Sequence, residues 1–365
     1  MARVFLVDLE SVETRYTGQW KGHVPKLLEA HGHEVVIIEG PTDIPSATTP
    51  GAFLNFGGTN IYKSVQVERM ARLFTEGGVK SGDHFIFTDA WHPGIINLKY
   101  MSELLGIKVT IHALWHAGSY DPQDFLGRLI GDAAWVRHAE KSFFHAIDHN
   151  YFATDFHIKL FSKVMLGYTL FKNVHDNDHF RTNFLDTKKI VRTGWPMEYM
   201  PAALEVFKEL PKRDLILFPH RLAPEKQVEI FRDLKTALPK YEFIVCQDSQ
   251  LSKAQYHVLL ASAKIVFSAN LQETLGISMY EGALVNAIPL VPDRLSYSEM
   301  FSKIWKYPSA WTESWDNYLL HKEELIAKIV DLMDNYSDYS NYVPQQARSL
   351  TEQFFSAKAL LEKIN

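Results

Sequence analysis

Two acidic residues separated by seven others, Glu273 and Glu281, lie in the stretch from Ser268 to Ala283, SANLQETLGISMYEGA. An apolar strand pattern ends there, a polar loop follows, and a helix opens around Gly276. The first N–H groups of a helix have no intrahelical acceptor and stand at the positive end of its dipole. Such a terminus, here Thr274, Leu275, Gly276 and Ile277, is suited to hold a diphosphate. Gly276 has no side chain, so a phosphate can approach its backbone closely. Glu281 falls more than one turn into the helix, where a carboxylate accepts hydrogen bonds from ribose hydroxyls. Glu273, just before the helix, is placed to grip sugar hydroxyls and position an anomeric carbon.

This stretch resembles the Glu-x7-Glu signature of retaining nucleotide-sugar glycosyltransferases of the glycosyl transferase group 1 type, which have the GT-B fold. Gly282-Ala283 and then Ala287 to Val291 are similar to that family's E-A-x-x-x-G-x-P-V-V continuation. Asn286-Ala287 stands where the family often has Cys-Gly or Ala-Gly. A second block, Leu217 to Gln227 (LFPHRLAPEKQ), resembles the family's G-R-L-x-x-x-K-G element, with His220 and Gln227 in place of its glycines. In that family the Arg and Lys neutralise the donor diphosphate, which puts those roles on Arg221 and Lys226. Fixed cations at that place stabilise the charge that a leaving nucleotide gains in the transition state. The resemblance also implies retention through an oxocarbenium-like transition state, the departing phosphate oxygen taking the acceptor's proton from the same face. It implies no metal and no cofactor beyond a nucleotide-sugar co-substrate, with UDP-glucose or another UDP-sugar expected.

The N-terminal half matches only in its grammar. The family's glycine-rich turn has a counterpart in Tyr16 to Lys21, with Gly18 as the donor-contacting glycine. The family commonly places a His at the end of a central strand, near donor sugar and acceptor. His116 is the candidate for this catalytic position, and His112 is second. Gly57-Gly58-Thr59-Asn60 reads as a further polar loop facing the cleft. Asp176-Asn177-Asp178 lies in a polar turn rather than at a strand end, and His175 with His179 reads as loop rather than as a metal pair.

Short apolar runs alternate with longer amphipathic segments throughout, the pattern of parallel sheets covered by helices. Strands are expected at 3–7, 34–38, 84–88, 108–114, 151–154 and 189–192, and then at 214–218, 242–246, 265–268 and 288–291. Helices are expected at 20–30, 95–105, 125–147, 155–164, 225–238, 253–261 and 274–286. The fold class is therefore α/β, with two Rossmann-like domains facing a central cleft. The N-terminal, acceptor-side domain is expected over 1–196 and the nucleotide-sugar domain over 205–350. A linker joins them at about 196–204, and a terminal helix at 351–365 packs back on the first domain.

Composition narrows the function. The 365 residues carry a net charge of −5, so no global basic field invites nucleic acid or acidic membranes. Arg137 to Arg192 nevertheless holds nine Lys/Arg against six Asp/Glu, together with the six histidines from His138 to His179. The single cysteine, Cys246, forms no disulfide within the chain, and a reducing cytoplasm fits it. The early Asp8 argues against a signal peptide, and no apolar stretch reaches the roughly 20 residues of a spanning helix. A soluble cytoplasmic enzyme is expected, in the host cytoplasm if phage-encoded. Phage DNA glucosyltransferases share this architecture and approximate length, so a hydroxymethylated base in phage DNA joins glycans and small metabolites as an acceptor. The competing readings are a non-hydrolysing nucleotide-sugar epimerase and a non-catalytic nucleotide-sugar-binding protein.

Overall fold

Val4, Phe5, Leu6 and Val7 are all buried, which a strand covered on both faces requires and an alternating pattern would not give. They belong to β1 (Arg3–Val7), the hub of a parallel sheet in a computed structural model that describes residues 2–12, 16–45, 47, 54–131, 133–166 and 188–365. The other strands are β2 (Glu34–Ile38), β3 (His84–Phe87), β4 (Thr110–Leu114), β5 (His149–Phe152) and β6 (Ile190–Arg192). They are ordered β2-β1-β3-β4-β5-β6. A second parallel sheet holds β7 (Arg213–Phe218), β8 (Glu242–Val245), β9 (Ala263–Phe267), β10 (Ile288–Pro292) and β11 (Lys306–Tyr307), ordered β11-β10-β9-β7-β8. The chain divides into two compact units, Met1–Pro196 with Ser356–Asn365, and Met197–Phe355. Both are Rossmann-like, so the α/β class read from the sequence holds.

Several elements differ from the sequence reading. The helix Tyr16–Ala30 begins early enough to absorb Gly18, which sits in its first turn rather than in a glycine-rich loop. Gly57 and Gly58 open the helix Phe56–Thr75 and form no polar loop. Asn55 caps that helix by accepting from Gly58 N, and a Cβ on Gly58 would come within 2.3 Å of the Pro45 carbonyl oxygen. The segment 125–147 is two helices, Phe125–Ile130 and Ala134–Ala146. The expected linker contains the helix Met200–Glu205. The expected 351–365 helix is divided: Thr351 belongs to Val343–Phe354 in the second unit, and Lys358–Glu362 belongs to the first. Asp176-Asn177-Asp178, His175 and His179 lie outside the described residues.

Burial keeps several histidines neutral. His92, His157 and His220 are each pushed down to about 3, first by burial, with Lys63 adding to the effect at His92 and Lys226 at His220. In the unfolded chain each titrates near the ordinary value of ~6.5. Their contribution to stability is complete above that value and is lost as pH falls below it, by up to ~1.4 kcal/mol per pH unit per group. Asp8 runs the other way, since burial raises it to about 6 and acid favours its folded form, but it offsets only part of the set. The melting temperature should fall steadily as pH drops from about 6.5 to 5; a flat profile across that range would contradict the buried neutral state.

Candidate functional site

In an open parallel sheet, ligands bind outside the carboxyl ends of the strands, at the point where the strand order reverses. In the second sheet that point lies between β7 and β9. The two sequence blocks emerge there. Residues 219–227 follow β7, and residues 268–276 follow β9 and lead into the helix Ile277–Leu284. Leu271 N donates to the Glu225 carbonyl oxygen at 2.8 Å, so the loops are joined through their backbones.

Lys226 is buried, and its ammonium needs acceptors. Its Nζ donates to the Gln272 carbonyl oxygen at 2.6 Å and lies 3.6 Å from Glu273 Oε2. The same Glu273 carboxylate accepts from Thr274 N at 3.1 Å and Leu275 N at 3.3 Å, and Asn270 Nδ2 reaches its other oxygen at 3.3 Å. Burial pushes the Glu273 pKa up, but Lys226, the amides of Gly276 and Leu275, and His220 outweigh it and hold the group below its usual range. Glu273 is thus an anion held between a cation and the backbone amides just before the helix, and that setting is lost as pH falls through its lowered pKa.

Gly276 stands at the N-cap with φ +68, and no side chain caps the helix. Its missing Cβ would come within 2.7 Å of Tyr297 Cε1, and Tyr297 is fully buried. Thr274 and Leu275 are buried, while Ile277 is half-buried on the first turn. Arg221 is ion-paired with the buried Glu225. These residues are therefore brought together in one loop cluster.

Glu281 lies further along the same helix and has separate partners. Tyr256 Oη donates to Glu281 Oε2 at 2.8 Å, and Lys253 Nζ lies 3.3 Å from Oε1, both from the helix Lys253–Ser262. The sequence reading did not include either partner. It also missed Arg294, whose guanidinium donates to the carbonyl oxygens of Ala269, Asn270, Ser309 and Thr312. These residues come from other elements, so spacing along the chain carries no signal for them. Cys246 is buried at the end of β8, where burial first, and then Glu281, raises its thiol to about 12.

His116 follows β4 in the first unit. Its Nε2 lies 2.5 Å from the Thr88 carbonyl oxygen, which can only accept, so Nε2 carries the proton. Nδ1 then accepts from Tyr16 Oη at 2.7 Å. Tyr16 is two residues from Gly18, so the start of the first long helix and the end of β4 meet through this bond. Trp195 packs on His116 with ring centroids 4.3 Å apart. His112, the second choice, is fully buried and hydrogen-bonded to His84 and Tyr151 within the sheet, which places it in the core. At the reversal point of this first sheet, between β1 and β3, Asp8 accepts from Tyr62 Oη and Gln66 Nε2, and Lys63 pairs with Asp89 at 2.7 Å.

Two Rossmann-like units of this kind make up the GT-B fold. Among solved structures the chain is similar to the sucrose-phosphate synthase of Thermosynechococcus elongatus, with TM-score 0.61, 10% identity, and coverage of 100% of this chain and 97% of that one. It is similar to Anabaena HepE in complex with UDP-glucose, with TM-score 0.54, 9% identity, and coverage of 100% and 98%. It is also similar to the pneumococcal O-GlcNAc transferase GtfA in complex with UDP and GlcNAc, with TM-score 0.52 and 14% identity; 82% of this chain is covered, but only 58% of GtfA's length. No protein-family model and no curated protein matches the sequence.

The fit of Gly276 against Tyr297 has a measurable consequence. A residue with a Cβ at left-handed φ loses roughly 1–2 kcal/mol from the backbone alone. Gly32 has φ +83 with open space around it, so Gly32→Ala reports that backbone cost, whereas Gly276→Ala adds the collision with the ring. Urea unfolding should show Gly276→Ala as clearly the more destabilised; equal losses would mean that the ring gives way freely.

Proposed function

We propose that the protein is a nucleotide-sugar-dependent hexosyltransferase that moves a sugar to a hydroxyl acceptor with retention and without a metal. The observation that carries this reading is the grouping of Lys226, Glu273 and the uncapped entrance of the helix Ile277–Leu284 at the carboxyl ends of β7 and β9. The GT-B fold shared with structures that hold UDP or UDP-glucose supports it. In this reading Gly276 and Ile277 present amides to the diphosphate, joined by Thr274 and Leu275 as they exchange their bonds to Glu273, while Lys226 and Arg221 supply the positive charge that stabilises it on departure. Glu273 orients the sugar through its hydroxyls, and Glu281 reads the ribose. The leaving phosphate oxygen accepts the proton of the attacking hydroxyl on the same face, so one C–O bond breaks as the other forms and no protein nucleophile is required.

His116 belongs to the acceptor side of the reaction in this proposal. With both ring nitrogens engaged, it acts by fixing the Tyr16 phenol, whose oxygen then accepts from an incoming hydroxyl. Of the acceptor classes, hydroxymethylated duplex DNA is favoured only by the charge of Arg137 to Arg192, part of which lies outside the described residues. A gel shift at low salt with hydroxymethylated and plain duplexes separates that class from glycans and small metabolites. Sites of action in the cytoplasm suit this reading, and no described helix is long and apolar enough to cross a membrane.

The decisive variants are Glu273→Gln and Lys226→Met. Each should lower sugar transfer by about 100-fold or more while the protein still folds, and NMR of the product should show the donor's anomeric configuration kept. Undiminished transfer in both variants would sink the assignment. An inverted product would remove the same-face mechanism. Donor incubated alone should not epimerise; appearance of an epimer would favour the epimerase reading instead.

A further inference from the structure

Gln227 follows Lys226 directly and adopts φ 53, ψ 49, a left-handed backbone that glycine takes without steric cost and a long side chain does not. It is buried, and its side chain does not cap the helix Val228–Ala237 that starts beside it. Instead its amide Nε2 donates to the Ala269 carbonyl oxygen at 2.5 Å and to the Thr312 carbonyl oxygen at 2.8 Å. Arg294 Nη2 donates to the same two oxygens, at 2.7 and 3.0 Å. Two side chains from the loops after β7 and β10 therefore bind one carbonyl in the loop after β9 and one in the loop after β11. Lys226 grips the β9 loop three residues further on, at Gln272. Consecutive residues thus hold the β9 loop at Ala269 and at Gln272, the residue before Glu273.

We propose that Gln227 is a positioning residue for the donor-holding loop: it keeps a strained backbone so that its amide can clamp Ala269 to Thr312 and set where Glu273 and the following amides stand. The proposal rests on the donor-binding reading for its functional consequence, but not for its structural one. Backbone strain of this kind persists where surrounding bonds over-determine it, and two bonds from one buried amide supply that here.

Two variants separate the bonds from the strain. Gln227→Met keeps length and backbone strain but removes the donor, and Gln227→Gly removes both. Amide hydrogen exchange of residues 269–276 in the ligand-free protein should accelerate about tenfold or more in both variants. Because glycine relieves the strain, Gln227→Gly should melt at or above Gln227→Met. UDP-glucose, used as the probe, should bind about tenfold more weakly to both variants, since the order of the loop must now be supplied on binding. Unchanged exchange in residues 269–276 in both variants would overturn the proposal, as would unchanged UDP-glucose affinity alongside a lowered melting temperature, the pattern of a residue that serves stability alone. A wild-type protein that ignores UDP-glucose would count against the donor reading, and the exchange result would then decide the role of Gln227 by itself.

Discussion

Lys226 and Glu273 set the terms for the second unit. A buried ammonium is costly unless it is hydrogen-bonded and balanced, and a buried carboxylate is no different. Lys226 meets its requirement with the Gln272 carbonyl and the Glu273 carboxylate, and Glu273 meets its own with Lys226 and the amides of Thr274 and Leu275. The amides of Thr274 and Leu275, just before the helix, are thereby occupied by an anion of the protein itself. In the proposed reading an arriving phosphate competes with the Glu273 carboxylate for those amides, and Lys226 offsets the repulsion between the two anions.

That organisation depends on backbone conformations that ordinary residues avoid. Gly276 has φ +68, Gln227 φ 53 and Leu295 φ 58, and all three lie in loops at the carboxyl ends of the strands. Gly276 occupies such a conformation at no steric cost. Gln227 and Leu295 do not, and each flanks a cation that holds the β9 loop: Lys226 before Gln227, and Arg294 before Leu295. At these two positions the strain lies beside cationic side chains turned towards carbonyls of the β9 loop, Lys226 to Gln272 and Arg294 to Ala269 and Asn270.

Most of the fold could be read from the sequence because strands buried on both faces leave apolar runs, as in Val4–Val7 of β1, Leu215–Phe218 of β7 and Ile265–Phe267 of β9. The helix Phe56–Thr75 could not. Its buried face includes Thr59, Lys63 and Gln66, which bond to Glu10, Asp89 and Asp8, so polar residues interrupt the periodicity that would have marked it. Gly18 and Gly57 were misread for a related reason, since a glycine in a helix is merely unfavourable, by ~1 kcal/mol, and is not a turn in itself. In the candidate site, the proximity of Glu273 and Gly276 was legible because one strand–loop–helix unit fixes their spacing, and that of Lys226 only through the resemblance of the block after β7. Arg294, Lys253, Tyr256 and the bonds of Gln227 were not, because each depends on which strands become neighbours. The ring of His116 was noticed, but the partners that settle its tautomer, Tyr16 and Thr88, come from a helix and a strand far away in sequence.

The partners of Glu281 bear on where donor affinity would arise. In the ligand-free protein its carboxylate is already served by Tyr256 Oη and Lys253 Nζ. Burial first, and then Glu281, raises the Tyr256 phenol well above its ordinary range, so the phenol stays a donor. A ribose hydroxyl offered to Glu281 would exchange with or add to bonds that exist before it arrives. Exchanging one hydrogen bond for another changes free energy by only ~1 kcal/mol. Glu281 would therefore discriminate between nucleosides with and without the right hydroxyls more than it would strengthen binding. The larger share would fall to the diphosphate at the helix entrance, where cations and amides act together on a ligand of higher charge.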